Sequence, residues 1–67
     1  MKAEEMLDMT EDQLRVKVGE LKESIFRMRF RLSLGNTDVV KEIRIQRKDL
    51  ARVKTVLRQK ETEASRA

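Results

Sequence analysis

Leu32-Ser33-Leu34-Gly35-Asn36-Thr37-Asp38-Val39-Val40 decides how this chain folds. One long helical pattern ends here. Gly35 suits a left-handed residue just past a helix end, because it has no Cβ to clash. Asn36, Thr37 and Asp38 are each good helix starters, and Thr37 or Asp38 can accept hydrogen bonds from the first free N–H groups of a new helix. A connection this short makes the two helices antiparallel neighbours. The chain therefore reads as all-α and as one domain, a long antiparallel two-helix hairpin. Its first helix spans about 10–34, its turn about 35–38 and its second helix about 39–60.

Upstream of the turn, Thr10-Glu11-Asp12-Gln13 has the form of a capping box, in which Thr10 caps and Gln13 reaches back to the Thr10 N–H. Glu11 and Asp12 then sit at the positive end of the helix dipole. Leu14, Val18, Leu21, Ile25, Met28 and Leu32 recur at alternating spacings of four and three, an a/d seam. Gly19 lies off that seam and costs about 1 kcal/mol relative to alanine. Residues 2–9 suit a short helical turn or two. Met6, Leu7 and Met9 either fold back onto the open end of the hairpin or belong to a frayed terminus.

Downstream, Ile43, Gln46, Leu50, Val53 and Leu57 continue the seam, with Val39 and Val40 at its start. Gln46 is expected near the edge of the contact. Glu61–Ala67 has no apolar residue larger than alanine and is expected to be a frayed tail.

A chain of 67 residues buries only about 60% of its extended surface, so one small domain is the most it can form. It has no cysteine and no histidine, which removes disulfides, thiolate metal sites and the commonest acid–base group. No glycine-rich phosphate loop or nucleophile elbow is present, and no metal or cofactor is expected. A hairpin this small offers no ordinary substrate cleft, so no enzyme is expected. No apolar run approaches the roughly 20 residues of a membrane span and no signal-peptide pattern opens the chain, so the expected location is cytosolic.

The formal charge of +4 is unevenly placed: residues 1–23 carry a net −3, residues 24–60 a net +8 and the last seven −1. On a wheel of about 100° per residue starting at Ile43, Lys41, Arg44, Arg47, Lys48, Arg52, Lys54 and Arg58 fall within one half of the second helix. Glu42 and Asp49 fall on the opposite flank. A purely solvated face would mix the signs to form i,i+4 pairs, so the sorting points to phosphate. Ala51 and Thr55 lie among these bases and would let a nucleic-acid backbone come close. Near the turn, Arg27 and Arg31 take one flank of the first helix and Arg29 the other, which makes the hairpin tip basic on both sides. These ten bases are the candidate RNA-binding residues.

The first helix carries a second apolar stripe, Val16, Phe26, Phe30 and Leu34, roughly opposite its seam. A two-helix hairpin has no layer to cover it. A docking surface for another macromolecule, self-association and cover by the N-terminal segment are the three readings. Stacking of bases on the two rings is less favoured than protein or packed-RNA contact.

Ile25-Phe26-Arg27-Met28-Arg29-Phe30 before the turn and Arg47-Lys48-Asp49-Leu50-Ala51-Arg52-Val53-Lys54-Thr55-Val56-Leu57 after it resemble the bacterial-type L-twenty-nine family of large-subunit ribosomal proteins. Length, acidic first half and turn position agree along nearly the whole chain. The resemblance implies a ribosome-bound structural protein near the nascent-peptide exit tunnel. It also implies contact with large-subunit ribosomal RNA and a neighbouring L-twenty-three protein, in a neighbourhood that serves nascent-chain factors. From the residues alone, the alternative is a coiled-coil module that self-associates through the seam and binds no RNA.

Overall fold

A computed structural model describes residues 3–66. It has a short helix α1 (Ala3–Leu7), a long helix α2 (Glu11–Ser33), a 3-10 turn (Thr37–Val39) and a long helix α3 (Val40–Arg66). Among the described residues there is no strand. Helices α2 and α3 form an antiparallel hairpin that measures 49 × 18 × 14 Å with α1 included.

Side-chain chemistry sets the start of α2. The Gln13 N–H donates to Thr10 Oγ1 at 3.2 Å, and the Thr10 N–H donates to Gln13 Oε1 at 3.0 Å. Its end is closed by the backbone. Gly35 takes φ +99°, its N–H donates to Leu32 O at 3.0 Å, and the Asn36 N–H donates to Arg31 O at 3.1 Å. That pair of bonds is a Schellman closure, and it uses carbonyls that would otherwise be orphaned. The start of α3 differs from the side-chain cap expected at Thr37 or Asp38. Asn36 makes no side-chain capping bond, and the Val40 N–H reaches Thr37 O through the 3-10 turn. Tightening the backbone by one turn satisfies the same donor without a capping hydroxyl.

The core follows the seam and exceeds it at one end. Leu14, Leu21, Ile25, Met28, Ile43 and Val53 are buried between the long helices. Burying one such side chain contributes roughly 1.5–3 kcal/mol. Leu32, expected in the seam, is surface-exposed beside the turn. Gln46 is half-buried. Its Nε2 donates to Glu42 Oε1 at 3.3 Å, while its Oε1 is covered and has no hydrogen-bond partner among the described residues. A Cβ at Gly19 would meet none of the described residues within 4 Å, so none of them needs a glycine there.

The N-terminal segment folds back. Met6 is fully buried in one cluster with Leu14, Leu21 and Val53, and Met9, Val18, Leu50, Val56 and Leu57 pack around it. Leu7 turns outward instead, because only one face of so short a helix can reach the hairpin. The Lys60 ammonium donates to Leu7 O at 3.0 Å and to Met9 O, satisfying carbonyls at the last residue of α1 and just past it. Lys2, part of the same expected segment, lies outside the described residues.

The expected frayed tail is helical through Arg66, and Ala67 lies outside the described residues. Extending an existing helix costs far less than starting one, and residues 61–66 contain neither glycine nor proline. Glu61 also pairs with Arg15 across the hairpin at 3.4 Å.

Candidate nucleic-acid interface

Antiparallel packing brings one flank of α2 against one flank of α3. At about 100° per residue, Lys22, Phe26 and Arg29 share a flank of α2, and Arg47, Ala51 and Lys54 share the facing flank of α3. Between them runs an open groove of about 420 Å³, lined by Lys22, Ile25, Phe26, Arg29, Arg47, Leu50, Ala51 and Lys54. Four of those residues are cations and none is acidic. Ile25 and Leu50 form its apolar floor. Arg47 and Ala51 are shared with a neighbouring depression on α3, whose other lining residues are Arg44 and Lys48. One continuous basic surface therefore crosses from α2 to α3.

Ion pairing leaves this surface its charge. Between described residues, Arg15 pairs with Glu11 and Asp12 at 3.3 Å each, Lys17 pairs with Glu20 at 3.9 Å, and Arg27 pairs with Glu23. These bases all lie on α2 and none lines the groove. Exposed pairs of this kind contribute about 0–1 kcal/mol to stability. Their main consequence here is that the acidic charge of α2 is matched locally.

Of the ten sequence-derived RNA-binding candidates, the structure gathers Arg29, Arg44, Arg47, Lys48 and Lys54 on this surface. Arg27 stands apart with Glu23, and Arg31 and Lys41 are exposed on either side of the turn. Arg52 lies toward α1, beside Met6 and Val56. Arg58 is further along α3, beside Thr62 and Glu63. Thr55 donates its hydroxyl to Ala51 O at 2.9 Å, so that hydroxyl serves its own helix.

Lys22 is the groove cation that sequence reasoning misses, because its place in the chain puts it with the acidic half of the first helix. Its place on the wheel, one turn before Phe26 and two turns before Arg29, is the signal that finds it.

The apolar stripe is open to solvent. Val16 is 60% exposed, Phe26 73%, Phe30 60% and Leu34 68%. Helix α1 sits against α3 and leaves all four uncovered, which removes the reading in which the N-terminal segment covers them. Val16 borders Met9 in a shallow depression, and Phe26 forms the lip of the basic groove.

The chain's likeness to known proteins agrees with this geometry. The family model described as Ribosomal L29 protein matches residues 4–60. The large ribosomal subunit protein uL29 of Solibacter usitatus is 43% identical over 61 residues, covering 91% of each chain. That of Moorella thermoacetica is 42% identical over 67 residues, covering the whole of both. That of Geobacillus stearothermophilus is 39% identical over 66 residues, covering 98% of this chain and all of its own. No solved structure matches the chain. A match over nearly the full length, with a two-helix hairpin and a basic face behind it, leads to one conclusion: this chain belongs to the ribosomal L29 protein family.

Proposed function

We propose that this chain, a non-enzymatic structural constituent of the large ribosomal subunit, holds large-subunit ribosomal RNA through the basic surface that crosses α2 and α3. One observation carries the reading. Lys22, Arg29, Arg47 and Lys54 converge from two helices on a single groove that no acidic residue lines. Each phosphate such a surface neutralises releases counterions, so binding is strongly salt-dependent. RNA helices are met mostly through phosphates, 2′-hydroxyls and shape, and a rigid helix pair bearing arginines suits all three. Among the described residues no helix is long and apolar enough to cross a membrane. Family membership makes the chain cytoplasmic and ribosome-bound.

The exposed stripe supports a second contact. Val16, Phe30 and Leu34, with Phe26 at the edge, form an apolar face that a small chain does not leave in water without a partner. The family resemblance supplies that partner as a neighbouring L-twenty-three ribosomal protein near the nascent-peptide exit, where factors that meet emerging chains assemble.

Both contacts are tested by washing large subunits at rising salt. The chain is expected to stay bound at moderate salt and leave steeply as salt rises. Phe30→Ser combined with Leu34→Ser is expected to lower the salt needed for release while the helicity of the isolated chain is unchanged. A chain absent from subunits that sizes as a lone oligomer would favour the coiled-coil alternative. Unchanged retention of the double variant would remove the docking role from the stripe.

A further inference from the structure

Phe26 stands apart from the rest of its stripe. It lines the basic groove, Phe30 does not, and the residue is 73% exposed. A surface built only for phosphates needs neither a ring nor an apolar floor, because a phosphate is a hydrated anion. This groove has both. Ile25 and Leu50 form the floor, Ala51 offers only a methyl group, and cations stand on both sides. Lys22 and Arg29 lie four residues before and three after Phe26, about one turn to either side of the ring. Arg47 and Lys54 lie seven apart on α3, about two turns, with Ala51 between them. A ligand that matches these features is flat and apolar on its faces and anionic on either side. An unpaired nucleotide within an RNA strand has that form. The volume, about 420 Å³, lies in the lower part of the roughly 300–1,000 Å³ typical of ligand clefts.

We propose that the groove receives one unpaired RNA base, stacked on Phe26, with the flanking phosphates held by Lys22 and Arg29 on one side and Arg47 and Lys54 on the other. The proposal rests on the RNA-binding reading and adds to it a site for a single-stranded element. Stacking on an aromatic ring is sequence-tolerant, so any base suits the groove, and a loop or bulge is the element that can supply one.

The test uses the isolated full chain and two RNAs of equal length, an unpaired oligonucleotide carrying one 2-aminopurine and a duplex. Binding of the unpaired strand is expected to quench the 2-aminopurine. Phe26→Leu is expected to weaken that binding about tenfold or more and abolish the quenching, and Phe26→Tyr to restore both. Affinity for the duplex should not change in Phe26→Leu, whose helicity is checked by circular dichroism. Unquenched fluorescence in the unsubstituted chain, or equal affinity of that chain and Phe26→Leu for the unpaired strand, overturns the proposal. Binding confined to the duplex overturns it while leaving the RNA-binding reading standing. Binding of neither RNA overturns both.

Discussion

Replacing Arg29, Arg47 and Lys54 together by glutamine is expected to lower affinity for large-subunit RNA about a thousandfold. Three charge-assisted hydrogen bonds at about 1.5 kcal/mol each total about 4.5 kcal/mol, or about three decades at 1.4 kcal/mol per decade. The slope of log affinity against log salt should become shallower by about three, one for each phosphate that is no longer neutralised. The matched control is Arg15, Lys17 and Arg27 to glutamine. It removes the same net charge, but from bases already paired with acids on α2. The control is expected to weaken binding less than about tenfold. Titrations at several salt concentrations, with helicity measured for both variants, separate the effects. Equal weakening would mean that only net charge matters and that the groove has no special role.

Leu14→Ala is expected to cost about 2–5 kcal/mol of folding stability. Leu14 is fully buried and packs in one cluster with Met6, Leu21 and Val53, side chains from all three helices. A 67-residue chain at about 0.05–0.15 kcal/mol per residue has only roughly 3–10 kcal/mol in total. The variant should therefore lose much of its helical circular dichroism at 25 °C, or melt at far lower urea. Phe30→Ala, on the exposed stripe, should change stability by no more than about 0.5 kcal/mol. If Leu14→Ala melts like the unsubstituted chain, the cluster joining α1 to the hairpin does not hold the fold.

The parts of this fold that are legible in the sequence are those set by local chemistry or by a repeated spacing. Thr10 and Gln13 satisfy each other's backbone N–H groups, and Gly35 takes the positive φ that the Schellman closure needs. The seam can be read because Leu14, Val18, Leu21, Ile25 and Met28 repeat every three or four residues, which is the period of the helix itself.

What escapes the sequence depends on space left elsewhere in the fold. Helix α1 is too short to show a period, and Met6 is buried only because the open end of the hairpin leaves room beside Val53. Residues 61–66 lack an apolar pattern, and their helix is an extension of α3 rather than a packed element. Lys60 counts as a base in the sequence, yet its ammonium is engaged with Leu7 O and Met9 O. The basic surface is half legible. Sorting on α3 is visible on a single-helix wheel, but the groove needs two wheels in register, and only the hairpin sets that register. Lys22 and Phe26 join the site for that reason.

Whether the groove faces RNA in the assembled particle can be read by photocrosslinking within intact large subunits. A photoreactive phenylalanine derivative replaces Phe26 at the lip of the groove in one preparation and Ile45 on the opposite side of α3 in another. Phe26 is predicted to link to ribosomal RNA, and Ile45 to give RNA links no higher than background. Links from Phe26 to protein alone, or equal RNA linking from both positions, would mean that the groove is not where this chain holds RNA.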